Sequence, residues 1–235
     1  MSRYQQLKEE AFEANMGIAH HNLAIFTFGN VSACDRDAGV FAIKPSGVSY
    51  NRLRVEDIVV VDLNGNIIEG SLRPSSDTPT HLHLYREFSA IGGIIHTHST
   101  YASAWAQACR SIPIFGTTHA DHLAADIPCA PLMTKESVEG DYELETGKQI
   151  TSHFHRETID PNHCPMTLVA GHGPFAWGEN AAKALYHGVV LEQIAQMAWI
   201  TEELGRKERL PSYYVQKHFM RKHGSDAYYG QTDGD

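Results

Sequence analysis

Two histidines, His96 and His98, stand two residues apart in the run Gly92-Gly93-Ile94-Ile95-His96-Thr97-His98-Ser99. Ile94 to Thr97 are strand formers with no breaker, and the paired glycines mark a turn before them. Side chains alternate faces along a strand, so both imidazoles point the same way. That is half of a first-row metal site, which needs nitrogen donors at a fixed separation. Chance competes with this reading, because 15 of the 235 residues are histidine. A second pair, His81 and His83, follows Thr78-Pro79 at a helix start, where residues i and i+2 lie roughly 200° apart and cannot share one ion.

The third candidate ligand is His172, just past a strand and between two glycines that allow close backbone approach. Alone, a histidine in such a loop is more often a turn residue. Asp77 is the candidate carboxylate, although Asp beside hydroxyls at a helix start is also an ordinary N-cap. Ser75-Ser76 near that helix start could hold a phosphate through hydroxyls, backbone N–H groups and the positive helix end. Gly29-Asn30 and Lys44-Pro45-Ser46-Gly47 are two more loops of small, donor-rich residues, one with a cation. Each alone simply makes a turn. Together they suggest a metal beside an oxyanion pocket, and spacing alone does not bring them together.

The elements that must position these groups follow from periodicity. Residues 2–19 have a capping-box start at Ser2 and Gln5 and apolar steps of three and four, which predicts a helix covering a sheet. Residues 22–28 and 40–43 read as strands. Residues 58–62 and 66–69 flank Asn64-Gly65, a hairpin signal. A helix over 81–90, the histidine strand and a helix over 101–109 follow, then a loop-rich section from Thr117 to Asp121. Residues 134–160 are mixed and charged, helical around 147–154. Residues 167–170 form a strand that 175–178 continue, and 181–204 form a long helix. Mingled strands and helices without a repeat or linker predict one layered α/β domain whose sheet is at least partly antiparallel.

Composition narrows the partners. A formal charge of −9 and pI of about 5.9, with no basic stripe, argue against nucleic acid but leave room for a local anion pocket. Cys34, Cys109, Cys129 and Cys164 form no C-x-x-C pair and suit reduced thiols. No signal-peptide pattern and no membrane-length apolar run is present, so a soluble cytoplasmic protein is expected.

Several longer strings occur in order: Gly29-Asn30-Val31-Ser32, Lys44-Pro45-Ser46-Gly47, Pro74-Ser75-Ser76-Asp77-Thr78-Pro79-Thr80-His81, Gly93 to Ser99, Gly116-Thr117-Thr118-His119-Ala120-Asp121, His172-Gly173-Pro174-Phe175 and Tyr228-Tyr229-Gly230-Gln231. In these the chain resembles the class II (metal-dependent) sugar-phosphate aldolase and epimerase family, and within it the L-ribulose-5-phosphate 4-epimerases, over all but the last four residues. The resemblance implies a three-layer α/β/α sandwich around a mixed, mostly antiparallel sheet, residues 1–235 as a single domain. It implies one Zn²⁺, or another divalent first-row metal, per subunit on His96, His98 and His172, with Asp77 beside it where related fuculose-phosphate aldolases carry Glu. Asn30, Lys44, Ser46, Gly47, Ser75 and Ser76 match phosphate-holding positions. Asp121 and Tyr229 match an acid/base pair, with Thr117, His218 and Arg221 as further site positions of lower weight.

By the same resemblance the partners are a phosphorylated ketopentose and further copies of the chain, in a fourfold-symmetric homotetramer. Its C-terminal segment 211–235 would contribute to a neighbouring subunit's site. The implied reaction interconverts L-ribulose 5-phosphate and D-xylulose 5-phosphate by cleaving and remaking C3–C4, with arabinose breakdown as the expected context. One departure is His122, where the family pattern leads one to expect an aromatic residue beside Asp121. A same-fold aldolase, a metal-dependent hydrolase and a non-catalytic zinc-stabilised protein are the rival readings.

Overall fold

In the computed structural model, which describes residues 2–224 and residue 227, the short β-branched runs pair into one eight-stranded sheet. Its strands are β1 (Asn30–Asp35), β2 (Val40–Ile43), β3 (Val59–Asp62), β4 (Ile67–Glu69), β5 (Gly93–His96), β6 (Cys129–Ala130), β7 (Met166–Val169) and β8 (Gly173–Gly178). They lie in the order β4-β3-β2-β1-β5-β8-β7-β6, and only β6 and β7 pair in parallel. The helices are α1 (Gln5–His20), α2 (Thr78–Glu87), α3 (Thr100–Gln107), α4 (Thr117–Ala120), α5 (Lys135–Glu139), α6 (Tyr142–Arg156), α7 (Ala181–Glu203) and α8 (Ser212–His223). This is the single α/β domain with a mixed, mostly antiparallel sheet that was expected.

Strand alternation assigns the layers. On one face, Asn15 of α1 takes both backbone groups of Val31, and Ile95 lies against Gly188 of α7. Trp105 of α3 donates its indole N–H to Ala195 O of α7, which adds α3 to this layer. On the other face, Ser32 meets His81 and Tyr85 of α2, while Trp177 packs against the tilted ring of Phe88 and edge to face with Phe154 of α6. Fully buried Phe41, Ile94, Phe154, Phe175 and Trp177 fill the interior. Burial of this kind contributes about 25 cal/mol per Å² of apolar surface, so the sheet and both helix layers stabilise one another.

Three sequence expectations need correction. Residues 22–28 are a loop, not a strand, because Asn22 (φ 54°) and Phe26 (φ 56°) adopt the left-handed region, which breaks an extended run. Ile25, Phe26 and Phe28 are consequently exposed. Residues 175–178 do not continue the preceding strand: the chain reverses at Gly171 (φ 71°), and β8 returns antiparallel to β7. Thr117 to Ala120 are a helical turn rather than loop. The 58–62/66–69 hairpin, the long helix from Ala181 and the strand ending at His96 are present.

The start of α7 runs directly beside β5. A Cβ on Gly93 would stand 2.4 Å from the backbone carbonyl of Asn180. Gly93→Ala should therefore cost about 1–3 kcal/mol, as overpacking does. That is a fall of roughly 2–4 °C in Tm per kcal/mol for a chain of this size, read by thermal denaturation. An unchanged Tm would show that the β5–α7 contact yields freely.

Candidate metal centre and anion cleft

Three histidines converge where β5 ends and the β7–β8 turn crosses it. In the sheet, His96 lies between Asn30 of β1 and Phe175 of β8. Its ring stacks on Phe175, with centroids 4.1 Å apart and planes at 14°. Its Nδ1 lies 2.9 Å from the carbonyl oxygen of Pro174, which can only accept, so Nδ1 carries the proton and a neutral ring leaves a lone pair on Nε2. His98 stands one residue pair further, just past the strand, with its Nε2 3.2 Å from that of His96. His172 enters from the turn, with ring centroids 4.7 Å and 5.2 Å from His96 and His98.

One ligand atom from each of the three lies within 4.8 Å of the others. Nitrogens bound to a tetrahedral zinc at ~2.0–2.1 Å sit roughly 3.3–3.4 Å apart, so the His96–His98 spacing suits donors to a common ion. Desolvation at the cleft mouth, then the nearby His96, lowers the pKa of His98. Burial, then His96 and His98, lowers that of His172 to about 3. Both rings are neutral at physiological pH, as metal ligands must be. These residues fit a divalent first-row metal.

Asp77 occupies the N-cap position of α2, yet its side chain makes no cap hydrogen bond. The carboxylate turns to β1 instead, where Asn30 Nδ2 donates to Oδ2 at 2.6 Å. Burial raises its pKa, but His96, His81 and the Asn30 bond outweigh that and leave it lowered. The competing reading of Asp77 as an ordinary side-chain N-cap is thus not realised.

The three donor-rich loops meet in the same cleft, a hollow of about 560 Å³ lined by Asn30, Lys44, Ser46, Gly47, Ser75 and Ser76 together with Asp77 and the three histidines. Backbone bonds from Ser46 N to Arg73 O and from Ser75 N to Lys44 O clamp two of the loops, and Asn30 Nδ2 reaches Ser75 Oγ. Lys44 is only 2% exposed, with its ammonium 5.1 Å from the Tyr50 ring centre. Burial lowers its pKa to about 8, so it remains mostly cationic near neutrality. Among the described residues its ammonium reaches only the carbonyl oxygens of Thr27 and Pro45 rather than Asp77 or Glu143, the acidic residues lining the cleft. Such a cation with hydroxyl and amide donors around it is suited to a phosphate.

Spacing had shown no sign of Phe28, Tyr142 or Glu143, which also line the cleft. The Tyr142 hydroxyl is 3.4 Å from His172 Nδ1, and the Phe28 ring is 6.4 Å from that of His98. The available signal was Asp141, an N-cap whose side chain accepts from Leu144 N and starts α6 five residues before the predicted helical stretch.

Asp121 lies elsewhere. It follows α4 and is held by α8: His218 Nδ1 at 2.9 Å, Arg221 Nε and Nη2 at 3.1 and 2.8 Å, and Lys222 Nζ at 3.8 Å. Burial raises the Asp121 pKa, but Arg221, His218 and Lys222 together leave it lowered, hence ionised. It lines a separate hollow of about 550 Å³ with His122, Lys183, His187, Lys222 and His223. Burial, then Lys222, holds His122 at about 4, so the residue in place of the expected aromatic is a neutral ring packed 5.7 Å from Tyr186. Thr117 opens α4 and lines a further hollow with Phe115 and Gly116. Tyr229 lies outside the described residues.

Comparison with known proteins agrees with this geometry. Residues 9–199 match the Class II Aldolase and Adducin N-terminal domain family. Among solved structures, an L-fuculose 1-phosphate aldolase superposes with a TM-score of 0.76 at 27% identity, covering 93% of this chain and 95% of that one. YgbL from Escherichia coli, by its description an aldolase, epimerase or decarboxylase, superposes at 0.73 with 23% identity, covering 92% and 99%. The L-fuculose-1-phosphate aldolase of Thermus thermophilus does so at 0.65 with 23% identity, covering 87% and 99%. No helix among the described residues is long and apolar enough to cross a membrane.

The buried histidines make stability depend on pH. Burial foremost lowers His81 and His172 to about 3, and His119, His122 and His187 to about 4. Unfolded, each takes up its proton near pH 6.5, so below that the unfolded state binds more protons and folding weakens as pH falls toward 4. The urea midpoint of metal-free protein should be highest near pH 7 and lower at about pH 5. Equal midpoints would mean these rings are solvated.

Proposed function

This chain belongs to the class II aldolase and adducin N-terminal domain family, and from that membership we propose that it is a zinc-dependent epimerase interconverting L-ribulose 5-phosphate and D-xylulose 5-phosphate. The observation that carries the reading is one cleft that joins a histidine triad and a carboxylate to a buried lysine ringed by hydroxyl and amide donors. That set suits a ligand with a chelating oxygen pair at one end and a phosphate at the other.

The substrate's own chemistry selects the route. C4 of the ketopentose is not adjacent to the C2 carbonyl, so its hydrogen is not acidic enough to leave and return. Breaking and remaking C3–C4 inverts C4 without that step. His96, His98 and His172, with Asp77 beside them, would hold the zinc, which when bound would supply Lewis-acid polarisation of the carbonyl. Asn30, Lys44, Ser46, Gly47, Ser75 and Ser76 hold the phosphate, so the two-carbon fragment stays tethered while it turns its other carbonyl face. Two faces require proton transfer from two sides, the roles assigned here to Asp121 and Tyr229. The ion pair of Arg221 and the bond from His218 support Asp121 as an ionised base.

Asp121 and the histidines line different hollows of one chain. The reading therefore includes a homotetramer of fourfold symmetry in which a neighbour's Asp121 and segment 211–235 complete each site. Exposed Ile25 and Phe26, on the loop leading to cleft residue Phe28, support such an interface. A second reading, an aldolase that releases its fragments, is supported by the 27% identity to an L-fuculose 1-phosphate aldolase. Asp77, where the resemblance places Glu in aldolases, favours the epimerase.

Incubation with L-ribulose 5-phosphate should yield D-xylulose 5-phosphate, and a chelator should abolish it. Accumulating dihydroxyacetone and glycolaldehyde phosphate would identify the aldolase instead. Tyr229→Phe should lose turnover by roughly 100-fold or more while keeping its zinc, the scale of a lost general acid–base group. His96→Asn should lose both, as metal analysis and assay of the same sample would show. Turnover by metal-free His96→Asn would remove the zinc reading.

A further inference from the structure

Helix α2 is tied to β1 by two successive rungs of buried polar bonds. Asn30 and Ser32 lie on one face of the strand, and Asp77, His81 and Tyr85 recur every fourth residue on the helix side. The first rung is Asn30 Nδ2 to Asp77 Oδ2 at 2.6 Å. The second is Ser32 Oγ, 2.7 Å from His81 Nδ1 and 2.7 Å from the Tyr85 hydroxyl. Ser32, His81 and Tyr85 are all 0% exposed. Arg36 fixes the far end of the helix by donating to the carbonyls of Tyr85, Phe88 and Ile91.

Counting protons in the second rung assigns its direction. Burial raises the Tyr85 pKa well above its ordinary value, so Tyr85 is a neutral hydroxyl that must donate, and Ser32 Oγ is its bonded partner. Ser32 then donates its own hydrogen to His81 Nδ1, which accepts. The reverse order strands both the tyrosine hydrogen and a ring lone pair in a dry interior, which costs more than one stranded N–H. With Nδ1 accepting, the neutral ring carries its hydrogen on Nε2. That nitrogen diverges from Ser32, and it is buried without a hydrogen-bond partner among the described residues, as is Asn30 Oδ1 on the adjoining rung. The titratable groups that act on His81 are Asp77, one helical turn before it, and His96.

We propose that His81 is a positioning residue, locked through Nδ1 to the Ser32–Tyr85 pair so that its Nε2 carries the hydrogen, a buried N–H dipole one helical turn from Asp77. Asn30 holds the Asp77 carboxylate by a hydrogen bond, and the Nε2–H dipole one helical turn away favours its charged form there. A cap competes little, because Thr78 N already donates to Ser75 O and Pro79 has no N–H. The role rests on the function proposed above for Asp77; the tautomer does not.

The test is a long-range ¹⁵N–¹H correlation spectrum of the zinc-loaded protein labelled at histidine, with the His81 signals assigned by their loss in His81→Gln. The expected pattern is the Nε2–H tautomer; an Nδ1–H pattern overturns the proposal, and the wild-type spectrum decides this even if a variant misfolds. Kinetics with L-ribulose 5-phosphate test the role. His81→Asn keeps a polar atom near Nδ1 only, whereas His81→Gln reaches the Nε2 position. At equal zinc content, His81→Asn should lower kcat about 10-fold or more with KM little changed, and His81→Gln should recover most of it, the scale seen for residues that orient a metal site. Equal kcat in the two variants would overturn the role. If the wild type itself turns over no L-ribulose 5-phosphate, the proposed function fails, and the tautomer spectrum alone decides the inference.

Discussion

Antiparallel pairing of β1 with β5 sets Asn30 opposite His96, and the cleft is organised from that register. Asn30 reaches across to Asp77 and Ser75, while His96 stacks on Phe175 from the next strand. A slip of one residue would turn both side chains to the α1/α7 face, because side chains alternate. Buried neighbours on both faces prevent the slip: Val31 is clamped by Asn15, and Ser32 by His81 and Tyr85. The register is thus held by the core, and the site inherits it.

Burial then sets the charges in the cleft. It lowers His172 to about 3 and so keeps a nitrogen lone pair available for a metal. The same desolvation lowers Lys44 only to about 8, which leaves a cation for an anionic ligand. Asp77 stays ionised because His96, His81 and Asn30 outweigh its own desolvation. Neutral donors, an anion and a cation coexist within one hollow because each has a different balance of burial and partners.

The helix α8 arranges a second cluster by other means. Arg221, His218 and Lys222 from one helix converge on the single carboxylate of Asp121. That makes an ionised group in a hollow separate from the histidine cleft. In the proposed reading symmetric assembly joins the two, since every copy offers both.

Much of the candidate site was legible locally. A strand period of two put His96 and His98 on one side, and turn chemistry marked the loops at Gly29-Asn30, Lys44 to Gly47 and Ser75-Ser76. The Asn64-Gly65 hairpin and the long α7 were equally plain, because turn and helix signals depend on residues a few positions apart. Apolar content alone misread residues 22–28, where two left-handed dihedrals override strand propensity. Nothing local revealed Tyr142 beside His172, the turn of Asp77 from cap to cleft, or the separation of Asp121 from the histidines. Those depend on the order β2-β1-β5-β8, which brings together loops dozens of residues apart. Residue types and local spacing were enough to mark the groups able to do chemistry. Which of them share a cleft was left to tertiary packing, because periodicity is local and strand order is not.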